Sequence, residues 1–141
     1  MLHLLAVLEG QTYAIEGRRV AEVLPLVRLD LPPGPEHLAT FRHRGRLASA
    51  LDLSRLLLGR PFTARLSTRI LVVRPGDGAQ VVGLVAENLT QTLSIQADAW
   101  EAVRRPGEPP HLGPAAMTEF GPVRRLELEA LLAAAFPEPA A

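Results

Sequence analysis

Phe41-Arg42-His43-Arg44-Gly45-Arg46 is the densest group of side chains in this chain able to hold a charged ligand. Guanidinium groups stay charged when partly desolvated and fork onto carboxylates and phosphates. In an extended segment, side chains two apart share a face, so Arg42, Arg44 and Arg46 would line one side of a strand. That arrangement reads as a surface for an anion or a carboxylate-bearing partner. The competing reading is a solvated strand face, with Arg44 bonded to loop carbonyls, because Gly45 implies a special backbone conformation.

Little else in the chain could do chemistry. The four histidines, His3, His37, His43 and His111, are scattered, and none shows the i, i+4 pairing with Glu of a helical zinc site. Only four serines occur, and none sits in a G-x-S-x-G elbow. All 15 basic residues are Arg, so a Walker loop, which needs Lys, is impossible. There is no Cys, which excludes disulfides and thiolate metal sites and fits a reducing compartment. No catalytic residue, metal or cofactor is expected. Fifteen basic side chains balance fifteen acidic ones, which argues against general attraction to nucleic acid or anionic membrane. No apolar run approaches the ~20 residues of a membrane helix. The start lacks a basic region and soon meets Glu9, so no signal peptide is expected.

The elements that must carry these residues are short. Leu2–Leu8 and Thr12–Ile15 read as a hairpin around Gly10. Arg18–Val23 is ambiguous between helix and strand; the spacing of Val20, Val23 and Leu24 suits one short helical turn, stopped by Pro25. Leu26–Leu31 alternates like a half-buried strand, and Pro32-Pro33-Gly34-Pro35 is a loop. Leu38–Leu51 reads as two strands joined near Arg44-Gly45. Asp52 caps a helix over Leu53–Leu58, with Gly59 at the left-handed exit. Arg69–Val73 and Val81–Ala86 are near-continuous apolar strands, with Asp77-Gly78 as a hairpin signal between them. Leu89–Ile95 alternates as a third strand. Arg104–Pro114, with four prolines, is expected to be irregular, and Ala115–Phe120 to be a weak strand. Leu128, Leu131, Leu132, Ala135 and Phe136 follow helical spacing up to Pro137. Many short strands with no βαβ alternation favour β-barrels with small helical decorations.

As an ordered series these residues resemble the CheW-like adaptors of bacterial chemosensory systems, from about Leu4 to Phe136. Tyr13-Ala14-Ile15 matches an aromatic-small-Ile strand, and Val20-Ala21-Glu22-Val23 a Val-x-Glu-Ile/Val helix. Arg44-Gly45 and Leu51-Asp52-Leu53 match the Asn-Leu-Arg-Gly and Asp-Leu motifs. Val82-Gly83-Leu84-Val85-Ala86-Glu87-Asn88-Leu89 resembles Val-Gly-Ile-Val-Val-Asp-Gly-Val. The chain departs from the pattern at Arg42 and His43, where Asn and Leu are usual, at Ser49, where Pro is common, and at Asn88, which replaces Gly.

The resemblance implies a mainly β chain. It would form one domain over 1–136 of two packed five-stranded barrels of the Src-homology type, with short helices and a C-terminal helix. The approximate subdomains are 16–66, and 1–15 with 67–136, followed by a disordered tail at 137–141. It implies no enzyme and no cofactor. The implied function is that of an adaptor joining chemoreceptors to a CheA-type histidine kinase, in the cytoplasm at receptor arrays beneath the inner membrane. The receptor's cytoplasmic tip would dock in a groove between the barrels, and the kinase regulatory domain on barrel faces. The implied partner-binding residues are Val20, Glu22, Arg42, Arg44, Gly45 and Val85. A different class of function, a small β-barrel binding single-stranded nucleic acid through the Arg42–Arg46 strip, rests on that strip alone. Such sites add stacking aromatics, and only Phe41 is adjacent.

Overall fold

The computed structural model describes residues 1–30, 38–74, 76, 80–103 and 105–135. The chain divides into two compact units, one of Met1–Gly17 with Thr90–Ala141, the other of Arg18–Leu89. Each is built around one sheet, and the content is mainly β. The division differs from the sequence-based one: residues 67–89 belong with the middle of the chain, because their two strands pair into its sheet.

The first unit holds β1 (Leu2–Leu8), β2 (Gln11–Glu16), β9 (Leu89–Ser94, whose first residue falls in the other unit), β10 (Leu112–Thr118) and β11 (Gly121–Leu126), in the order β10-β11-β2-β1-β9. β1 and β2 form the expected hairpin, closed by Glu9 and Gly10 at φ 48° and 77°. Two positive φ values in a row are the demand of a type I′ turn, whose twist matches that of the strands. β2 continues parallel to β11, so the two ends of the chain meet in one sheet. Leu5, Ala14 and Val123 are buried together, with Leu93 and Trp100 packed on them. Helix α2 (Leu128–Ala135) buries Leu128, Leu131, Leu132 and Ala135, the stripe its spacing predicts. Phe136, Pro137 and the tail lie outside the described residues.

β10 corrects the expectation that everything up to Pro114 is irregular. It begins at Leu112 and carries Pro114 within it. Proline is tolerated there because β10 is an edge strand, where a missing N–H interrupts no inner ladder. Its register also shifts between Leu112 and Ala115, and Ala115 exchanges backbone bonds with Glu101.

The second unit holds β3 (Val20–Pro25), β4 (Leu29–Asp30), β5 (Leu38–His43), β6 (Arg46–Asp52), β7 (Arg69–Val73) and β8 (Val82–Ala86), in the order β3-β7-β8-β6-β5-β4. The two-residue β4 is the sixth strand. Phe41, Ala50, Ile70, Val72 and Val85 are almost fully buried at its centre. β7 and β8 are buried on both faces, as their unbroken apolar runs require. Helix α1 (Leu53–Leu58) has the ends read from sequence. The Asp52 side chain accepts from the Arg55 N–H, and Gly59 exits at φ 74°.

Two expectations fail in this unit. Residues 20–23, open between helix and strand by their spacing and helical by the resemblance, are strand. A 3₁₀ turn, Gly17–Arg19, comes just before them, and β3 pairs with β7. Leu26–Arg28 is a 3₁₀ turn after Pro25, and only Leu29–Asp30 pairs as strand. The Pro32–Pro35 loop and the Asp77-Gly78 turn lie outside the described residues.

Candidate functional site

The β5–β6 hairpin carries the residues that sequence singles out. His43 and Arg46 face each other across the strands, which leaves Arg44 and Gly45 as a two-residue turn. Both have positive φ, 51° and 78°, so this too is a type I′ turn. Glycine adopts that conformation freely, whereas Arg44 holds it at some conformational cost. The reversal separates the arginines. Arg42 is on β5 opposite Leu47, and Arg46 is on β6 opposite His43. Cross-strand partners share a face, so Arg42 and Arg46 lie on opposite faces and the three guanidiniums do not form one strip. Phe41, the aromatic beside them, is fully buried and has no face free for a base.

β3 supplies the other half of the site. Val20 pairs with Val73 and Glu22 with Val72, so Ala21 is an extra residue in the ladder. Such a bulge re-aims the side chains that follow it. Glu22 reaches His43, whose Nε2 lies 3.0 Å from Glu22 Oε2. The His43 side chain is 8% exposed and that of Glu22 45%. A depression of about 240 Å³ surrounds this pair, lined by Ala21, Glu22, Leu24, Arg28, Arg42, His43 and Arg44. Three sequence-predicted residues, Glu22, Arg42 and Arg44, therefore converge. Gly45 is exposed at the turn and Val20 is half-buried at the start of β3; neither lines the depression. Val85 is 1% exposed in the core, packed in the centre of the sheet, and cannot touch a partner directly. In sequence His43 stands out as a member of the basic run and as a departure from the family pattern. Its burial and its partner, 21 residues away in sequence, have no local signal.

A family model for the CheW-like domain matches residues 3–136. The chain belongs to the CheW-like family. The match spans both units of this CheW-like domain and assigns it to chemotaxis scaffolds and adaptors, which are non-catalytic. Among solved structures, the scaffolding protein TtCheW from Thermoanaerobacter tengcongensis is similar at a TM-score of 0.75. The two are 19% identical, and the alignment covers 92% of this chain and 86% of that one. That likeness concerns the fold. Comparison with curated proteins gives no match.

Behind the hairpin, the CheW-like domain keeps a second group of polar residues that sequence did not bring together. Asp52 is buried and accepts from Arg55 N–H at 3.3 Å and from Phe62 N–H at 2.9 Å. Burial pushes its carboxyl above the ordinary range, although these N–H bonds pull the other way. Glu87, 2% exposed, accepts from the Ser54 hydroxyl, from Thr63 N–H at 2.9 Å and from Arg60 at 3.3 Å. Burial alone would raise its pKa. The hydrogen bonds from Ser54 and Thr63, with the Arg60 charge, outweigh it and hold the carboxyl below the ordinary range. The two carboxylates thus pin residues 60–63, which leave α1 without regular structure. Their role is structural. The one signal for Glu87 was its place in the Val82–Leu89 motif. No helix among the described residues is long and apolar enough to cross a membrane.

Proposed function

We propose that this CheW-like domain is an adaptor that couples chemoreceptors to a CheA-type histidine kinase, working in the cytoplasm at receptor arrays beneath the membrane. The observation that carries the reading is the family match running unbroken from residue 3 to 136 through both units. The site geometry agrees with it. Glu22, Arg42 and Arg44 are exposed side chains converging on a depression that is open to a second protein. Val20 and Gly45 flank it as further contacts, and Val85 acts by shaping the sheet beneath.

In this mechanism nothing is bonded or cleaved. Apolar contact supplies affinity, while the charged side chains fix register and exclude partners whose charges do not match. The kinase regulatory domain and the receptor's cytoplasmic tip are the two partners. The test is co-precipitation of the folded protein with each of them, taken from a system encoding all three. Capture of both at tens of micromolar is expected. Capture of neither, by protein that retains its β-sheet circular dichroism, overturns the reading. Binding of single-stranded nucleic acid gains nothing from the structure, since the arginines are split between faces and Phe41 is buried.

A further inference from the structure

Charged side chains at a surface depression usually find partners within their own protein. Around the Glu22–His43 pair they do not. Among the described residues, the guanidiniums of Arg28, Arg42 and Arg44 have no hydrogen bond or ion pair, although all three line the same depression of about 240 Å³. The carboxylate lining the same depression, Glu22, already meets His43 at 3.0 Å. Three permanent positive charges therefore stand around one carboxylate that is already engaged.

The strand register sharpens the imbalance. β4 and β5 pair antiparallel, Leu29 with Phe41 and Asp30 with Thr40. Arg28, the last residue of the 3₁₀ turn, precedes Leu29, and Arg42 follows Phe41, so both arginines belong to the same end of the ladder. Like charges gathered around one depression repel each other. Arg44 is fixed beyond them by a turn that costs a non-glycine residue conformational energy at φ 51°. Among the described residues, no hydrogen bond or ion pair neutralises these three positive groups.

We propose that this depression receives an acidic protein segment, with carboxylates from the partner bridging Arg28 and Arg42 and a further one reaching Arg44. The segment is protein rather than nucleic acid. Among the described residues that line it there is no exposed aromatic for base stacking, and Val23, Val27 and Leu47 are exposed on the same unit and available for apolar contact. His43 is the positioning residue: by engaging Glu22 it leaves the arginines to the partner. This inference rests on the adaptor reading and names the chemistry one of its partners must carry.

The experiment uses the full chain and fluorescence anisotropy. The probe is a labelled peptide of alternating Glu and Ala, with a Gln–Ala peptide as control. The receptor tip and the kinase regulatory domain are measured in parallel. The wild-type protein is expected to bind the Glu peptide at least about tenfold more tightly than the Gln peptide, with affinity falling as salt rises. Arg28→Gln/Arg42→Gln, both on exposed side chains, should lose that preference without a change in melting temperature. It should also weaken one of the two protein partners by about tenfold. His43→Leu should weaken the Glu peptide by returning Glu22 to the arginines. Equal affinity for the Glu and Gln peptides, or a double variant that binds like wild type, overturns the inference even if both protein partners still bind. Displacement of the peptide by an oligonucleotide at equal charge overturns the assignment to protein. Loss of both protein partners by wild type, with the peptide still bound, sinks the adaptor reading and leaves the acidic-segment site standing.

Discussion

At the scale of single residues, two buried histidines contribute to the pH response of the first unit. His111 is 6% exposed, and neither ring nitrogen has a hydrogen-bond partner among the described residues. His3 is 1% exposed; its Nδ1 lies 3.1 Å from the Met1 carbonyl, its Nε2 has no partner, and its ring packs 5.2 Å from that of Trp100. Burial holds both imidazoles below the ordinary value of 6.5. The folded protein therefore keeps them neutral where the unfolded chain takes up protons. Stability is full above about pH 6.5 and falls as pH drops through and below that value. His111→Leu should flatten that fall and raise stability by about 1 kcal/mol, because a buried imidazole with no partner becomes a packed apolar side chain. Urea unfolding at pH 5 and pH 8, followed by Trp100 fluorescence, reads both effects; an unchanged pH slope would count against it. Arg44 gives a contrasting expectation. Its side chain supports nothing within the described protein, so Arg44→Ala should change stability by less than about 0.5 kcal/mol while weakening partner capture. A large fall in melting temperature would show that Arg44 braces the turn instead.

At the scale of elements, the α1 cap and the β8 glycine are the points where one change propagates. Asp52→Ala removes the α1 cap and also leaves the Phe62 N–H without its acceptor. The expected cost is about 1–3 kcal/mol, with Asp52→Asn intermediate, measured by denaturant unfolding. Gly83 on β8 has no room for a methyl group: an added Cβ would stand 2.6 Å from the Phe41 ring and 3.0 Å from Ile70 Cγ2. Gly83→Ala should cost about 1–3 kcal/mol by overpacking, and Phe41→Leu in the same chain should recover part of it. Helix α1 and strand β3 differ in how far their sequences reveal them. Asp52 to Gly59 was legible because a cap, a short apolar run and a left-handed exit all act within eight residues. β3 was not, because its pairing with β7, some fifty residues on, outweighs a spacing that equally suits a helical turn. The arginine strip failed for a related reason: Arg44-Gly45 was recognised as a junction, but the reversal it makes puts Arg42 and Arg46 on opposite faces. The Glu22–His43 contact depends on a bulge and a tertiary approach, and neither leaves a local pattern.

At the scale of the whole molecule, the two units differ in how the chain builds them. The Arg18–Leu89 unit is continuous, whereas the other is assembled from the first 17 residues and everything after Leu89. Truncation after Leu89 removes β11, the parallel neighbour of β2, and nearly all of β9, the neighbour of β1. A hairpin of two strands is marginal by itself, so β1 and β2 should unfold in such a fragment. Limited proteolysis should then cut within residues 1–17 of the fragment and spare the same bonds in the full chain. Protection of that hairpin in the fragment would contradict the dependence of β2 on β11.

That discontinuity sets an order of events during synthesis. When Leu89 has left the ribosome, the middle unit possesses every strand it will ever have, while the opening hairpin still lacks its neighbours. β9 follows within a few residues, but β2 must wait for β11, which ends at Leu126, a matter of seconds at about 5–20 residues per second. For that interval the nascent chain carries Leu5, Ala14 and their apolar neighbours uncovered, and it is then that a holding chaperone has most to protect.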